Sequence, residues 1–188
     1  MTVENRLEAH CEIAAGALIS GLTNVVTIRT DGLGSNYNKL GFTSGQVHGI
    51  GHGKVPEGAK SVDQACGLIR GFQLDNVVKI AARLSMIPEG NGTMLDNTTI
   101  IYFSDVGDKH HASNREWPYL VIGNMGGKLN SAGHYIQYPH KGHVGHHTIA
   151  SCRLTLLHAA GKPQQGFGMM DSKVDPKVQL GPLWELLT

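Results

Sequence analysis

Apolar residues recur along the chain with two different periods, and the alternation between the periods predicts the order of elements. Val3, Leu7, His10 or Cys11, Ala14 and Leu18 fall at helical spacing and Gly21 offers a stop, so a helix is expected within residues 3–22. The β-branched run VVTIRT (25–30) predicts a strand that ends at Asp31-Gly32-Leu33-Gly34. Between 61 and 86, Val62, Cys66, Ile69, Phe72, Val77, Ile80 and Leu84 lie near one helical face. That helix should end before Pro88 and the turn Glu89-Gly90-Asn91-Gly92. TTIIYFS (98–104) and PYLVIG (118–123) read as further strands, the first ending at Asp105. A last helix begins after Thr148 and closes at Gly161. Strands that alternate with helices imply the α/β class. The expectation is a mainly parallel sheet flanked by helices, with 25–30, 98–104 and 118–123 in one sheet and the helix at 61–86 packed across it.

Composition adds one feature to this pattern. Glycine accounts for 25 of 188 residues, and residues 32–60 contain Gly32, Gly34, Gly41, Gly45, Gly49, Gly51, Gly53 and Gly58 with no clear periodicity. A loop of that length without structure of its own is often functional. The length suits a single α/β domain spanning 1–188. A net charge of +1 argues against a polyanion-binding surface and so against nucleic acid as a partner, and the 40% apolar fraction excludes wholesale disorder. Cys11, Cys66 and Cys152 are odd in number and each falls in an apolar, helical-looking stretch, which disfavours a disulfide framework or a thiolate zinc site. Glu4, Glu8 and Glu12 interrupt what would have to be a leader, so no signal peptide is expected, and no apolar run is long enough to span a bilayer.

Histidine is where the chemistry gathers. Of the 11, eight fall between His110 and His158. Three constellations follow. Asp31 precedes His48-Gly49-Ile50-Gly51-His52-Gly53, where two histidines four apart have the spacing for one metal. The glycines make a helix improbable there, so a site would be built by a loop; the plainer reading is an exposed turn. Asp105, Asp108, His110 and His111 follow the strand at 98–104. Carboxylate oxygen with imidazole nitrogen is the ligand set of zinc, manganese and iron, although a satisfied polar loop has the same composition. The run His140-Lys141-Gly142-His143-Val144-Gly145-His146-His147 reads as a flexible lid or surface loop, or else as a second contribution to the same site. No serine elbow, phosphate-binding Walker loop or dinucleotide fingerprint is present.

The stretch EGNGTMLDNTTIIYFSDVGDKHH, with PYLVIGNMGGKLNSAGHYIQYP and LTLLHAAG after it, resembles the carboxyl-terminal part of an uncharacterised bacterial family named for an H-x-x-S-H-H motif. His48-Gly-Ile-Gly-His52-Gly53 looks like a divergent copy of that motif, with Gly51 for Ser and Gly53 for the last His. The family is in turn similar to the alkaline phosphatase and sulfatase superfamily. The resemblance implies an alkaline-phosphatase-like partial domain, the last portion of a longer exported protein, periplasmic or extracellular. Its metal ligands would be Asp31, His48, His52, Asp105, His110 and His111. The implied cofactor is a divalent cation, zinc first and manganese or calcium as alternatives. The implied function is metal-dependent hydrolysis of phosphate or sulfate esters of a small molecule or glycan. The alternative is a non-catalytic exported protein that binds metal or glycan. The nucleophile is not identified; under another registration Ser35, Thr43 or Ser44 would be available. A missing amino-terminal half would also leave a sheet edge bare, which favours homo-oligomers.

Overall fold

A computed structural model describes residues 1–104 and 116–188. The chain divides into two compact units, Met1–Pro88 and Glu89–Thr188.

The first unit is built on two long helices. Helix α1, Val3–Ile19, starts where the Thr2 side chain accepts a hydrogen bond from the Asn5 amide. It stops where Gly21, at φ +69°, takes the left-handed conformation that lets its own amide and that of Leu22 bond back to Leu18 and Ala17. The short helix α2 spans Val47–Gly51, and α3 spans Val62–Ser85. Ser61 caps α3 by accepting from the Gln64 amide, while the Gln64 side chain accepts from Lys60, a close relative of the capping box. Asp63 in the first turn and Arg83 in the last complement the helix dipole.

Helix α1 packs on α3 through a buried face that includes Leu7, Cys11, Ala14 and Ala15, and Glu12 pairs with Arg83 across the contact. A second apolar cluster, Tyr37, Phe42, Ile50, Ala65 and Ile69, joins the glycine-rich segment and α2 to α3. Helix α3 therefore packs on helices and a loop, where a sheet had been expected.

The two-residue strands β1, Pro88–Glu89, where the chain passes from the first unit to the second, and β2, Gly92–Thr93, pair around the predicted turn. Strands β3, Ile100–Phe103, and β4, Tyr119–Ile122, then form a ribbon in which Ile100 faces Ile122 and Phe103 faces Tyr119. Helix α4, Ile149–Ala159, ends at the predicted Gly161. No helix among the described residues is long and apolar enough to cross a membrane.

The expected parallel, alkaline-phosphatase-like α/β fold is overturned. The described residues hold four α-helices and two small two-stranded sheets, and β3 and β4 run antiparallel. Two of the three predicted strands are found at the expected positions, but apolar runs do not encode direction. Antiparallel strands need no crossover helix, and β3 and β4 are only half-buried where a parallel sheet would bury both faces. The third, VVTIRT, is not a strand. Val25 is 78% exposed, and β-branched residues stabilise a strand only through the neighbours they pack against.

These placements lead to contrasting expectations for two apolar truncations. Leu84→Ala, at a fully buried position of α3, should cost about 2–5 kcal/mol. Val25→Thr should stay within about 0.5 kcal/mol, as at ordinary surface positions. Denaturant midpoints measure both, and a large loss for Val25→Thr would restore residues 25–30 to a packed strand.

Candidate functional site

Asp31 is the best-oriented of the predicted ligands within the described residues. Its Oδ2 accepts hydrogen bonds from the Tyr37 hydroxyl at 2.9 Å and from Gln73 Nε2 at 3.1 Å. The same amide donates to the Tyr37 oxygen at 2.8 Å, which closes a triangle of three side chains. Tyr37 is 1% exposed and Gln73 is buried on α3, whereas Asp31 is half-buried. The carboxylate is thus held from the protein side by two buried donors, the arrangement that orients a ligating or general-base carboxylate. Arg29 Nε donates to the Asp31 carbonyl at 2.6 Å, and the Gly32 amide donates to Ser35 Oγ at 2.9 Å, so the loop is fixed locally as well.

Sequence reasoning missed Tyr37 and Gln73. A signal for Gln73 existed. Ile69, Gln73, Asn76 and Ile80 share the buried face of α3, and an amide inside an apolar stripe must find a partner.

His48 lies in α2 and His52 caps its carboxyl end, where a loop had been expected. Their rings meet edge to face with centroids 4.7 Å apart. The glycines do disfavour a helix, yet two tertiary terms outweigh them. Ile50 is buried against Phe42, Ala65 and Ile69. The first two amides of the helix, which have no partner within it, donate to loop carbonyls: Val47 to Ser35 and His48 to Leu33, each at 2.9 Å. Those bonds tie the start of α2 to the loop that follows Asp31.

Asp105, His110 and His111 lie outside the described residues. Asp31 does not end a strand, so the sheet expected to hold both 25–30 and 98–104 is not what positions it. Among the described residues no group of three His, Cys, Asp or Glu side chains stands close enough to hold a metal ion. Taken by itself, the histidine pair offers two nitrogen donors. Of the alternative nucleophiles, Ser35 is buried and accepts from Gly32, while Thr43 and Ser44 are exposed.

The tract His140–His147 belongs to the second unit. His140 pairs with Glu116 at 3.0 Å, His146 is buried with Nδ1 3.0 Å from the His143 carbonyl, and His147 lies edge-on to Tyr138 at 5.0 Å. Val144, at the apex, is 99% exposed. Tyr138 donates to Glu185 Oε1 at 2.5 Å. Burial, and then the Glu185 carboxylate, push the phenol well above its ordinary range. For Glu185, burial raises the carboxyl but is outweighed by the Tyr138 hydrogen bond and the other favourable contacts, so it is held below the usual value. The thiols of Cys11 and Cys152 are both raised, chiefly by burial, which makes them poor nucleophiles.

Two expectations follow. Tyr37→Phe removes a donor to a carboxylate and leaves buried Gln73 with one acceptor fewer, so it should destabilise by roughly 1–3 kcal/mol; an unchanged urea midpoint would show that the triangle carries no energy. Because the folded state depresses Glu185, its contribution is complete above the unfolded value of 4.5 and is lost as pH falls through the folded one. The acid loss of stability should be shallower in Glu185→Gln than in the parent, and identical pH profiles would refute the coupling.

Comparison with family models, with curated proteins and with solved structures finds no match for this chain.

Proposed function

We propose that the chain is a metal-dependent hydrolase of phosphate or sulfate esters, or the portion of one that carries the metal ligands. His48 and His52 are the first two ligands, with Asp31 the carboxylate of the same unit; the resemblance also names Asp105, His110 and His111. The observation that carries the reading is the pair of imidazoles four residues apart, on α2 and at its carboxyl cap, with the first amides of α2 bonded to the loop of an Asp31 held by Tyr37 and Gln73. Borderline nitrogen and hard oxygen donors fit zinc first, then manganese, with calcium needing more oxygen. The reading does not depend on an alkaline-phosphatase fold; it rests on the donor set and on the resemblance in residues 89–161.

A divalent cation bound there would lower the pKa of a water or polarise an ester oxygen. The chain's own part is positional. Tyr37 and Gln73 aim the Asp31 carboxylate, the edge-to-face contact limits how the two imidazoles turn, and the hydrogen bonds from Val47 and His48 keep helix and loop in register. Imidazole binds metal only when neutral, so acid should compete with binding.

The test is zinc titration of the full chain after chelation, followed by assays on generic aryl phosphates and aryl sulfates. One stoichiometric site is expected. It should be weakened at least about tenfold in His48→Ala or His52→Ala, and about 10–100-fold in Tyr37→Phe, which disturbs only the group behind a ligand. Ester turnover should appear with metal and vanish on chelation. Stoichiometric metal without turnover on either ester class would sink the hydrolase reading in favour of the non-catalytic metal-binding one, and zinc binding unchanged by loss of both histidines would sink the site.

A further inference from the structure

A cleft of about 680 Å³ in the first unit is lined in part by Asp31 and carries a charge pattern that metal binding would not use. Arg6 and His10 reach it from α1, and Arg29, Asp31, Asn36 and Asn38 from the loop. Arg6 and His10 are four residues apart and so share one face of the helix. Among the described residues the ion pairs are Arg83 with Glu12 and His140 with Glu116, so neither guanidinium of the cleft is neutralised in an ion pair.

Arg29 is also held in place. Its Nε–H is committed to the Asp31 carbonyl, and its Nη2 lies where a side chain at position 32 would begin: a Cβ on Gly32 would come within 2.9 Å of that nitrogen. The guanidinium therefore rests against the Asp31-Gly32 backbone, and its remaining N–H groups are pre-positioned donors.

We infer that this cleft binds the tetrahedral oxyanion of a phosphate or sulfate ester through Arg6 and Arg29, with His10, Asn36 and Asn38 as further donors. The inference deepens the hydrolase reading and rests on it for what is attached to the anion; anion binding itself needs no metal. Guanidinium groups suit the task because they present paired N–H donors to tetrahedral oxygens. Among the described residues the cleft sets one carboxylate against them, Asp31, whose Oδ2 is already engaged by Tyr37 and Gln73. Sites for small organic ligands fall at roughly 300–1,000 Å³, so the cleft has room for an ester's organic group beside its anion.

The experiment uses the full chain, stripped of metal, titrated with inorganic phosphate, inorganic sulfate and acetate while histidine resonances are followed by NMR. Phosphate and sulfate should bind saturably and shift a signal that disappears in His10→Gln. Arg6→Ala and Arg29→Ala should each weaken binding at least about tenfold, and Arg29→Lys, which keeps charge but not the planar fork, should fall between. Arg70→Ala removes the same charge from an exposed position of α3 outside the cleft and should bind as the parent does. Each variant is checked for an unchanged thermal midpoint, as expected of exposed side chains. Equal weakening by Arg70→Ala, or acetate binding as tightly as sulfate, would overturn the inference. Phosphate binding lost in the arginine variants while zinc fails to bind would uphold the cleft and refute the metal site; zinc binding with no anion affinity would do the reverse.

Discussion

Burial of the Tyr37 ring is the contact on which the arrangement of residues 31–52 depends. The ring lies in the cluster with Phe42, Ile50, Ala65 and Ile69, and meets Phe72 edge-on at 6.2 Å. A phenol buried so deeply is costly unless its hydroxyl is paired. Its partners are Asp31 and Gln73, so the apolar term that draws the ring inward also fixes a carboxylate. Without that contact, residues 31–36 would keep the local turn formed by Gly32 and Ser35 and the hydrogen bonds that the Leu33 and Ser35 carbonyls accept from α2. A hydrophobic contact thus positions a polar group, which is how a segment with little regular structure can present a defined site.

The parts of the fold legible in the sequence are those whose determinants are local. Helices α1, α3 and α4 were foreseen because their apolar spacing and their glycine or proline stops all lie within a few residues of each element. β3 and β4 were located for the same reason. Their direction was not, because apolar runs such as IIYF and YLVI carry no record of which way a partner runs. VVTIRT misled because β-branching describes how a residue fits a packed surface, and here no described strand supplies one. The helix at 47–51 was discounted on its glycines, yet intrinsic propensity is small beside the burial of Ile50 and the capping of two amides by carbonyls of Leu33 and Ser35, from a loop more than ten residues upstream.

The candidate site divides in the same way. The spacing of four between His48 and His52 was enough to nominate them, and it proved to be the spacing of a helical turn. Asp31 was nominated for a wrong reason, as the end of a strand; it is positioned by a hydroxyl six residues later and an amide 42 residues later. No local signal links Asp31 to Gln73. What the sequence did contain was the anomaly of two amides, Gln73 and Asn76, on the apolar face of α3. Asn76 resolves its own burial by donating to the Phe72 carbonyl within the helix, which leaves Gln73 as the one that reaches out.

That difference bears on how the loop and α2 behave together. Leu33 and Ser35 carbonyls cap α2, and Asp31 precedes them by two and four residues, so a displacement of the helix would strand its first amides and pull on the Asp31 loop at once. Orphaned amides near a buried cluster cost more than a small shift returns, which makes the pair of segments behave as one piece. Donors held on one piece lose little further freedom when a cation or anion arrives, so more of each contact is expressed as affinity. The glycine-rich composition of 32–60 is therefore compatible with a rigid site. Chain flexibility is settled by where the amides and one aromatic ring find partners, and in this segment those partners lie on the loop, on α2 and on α3.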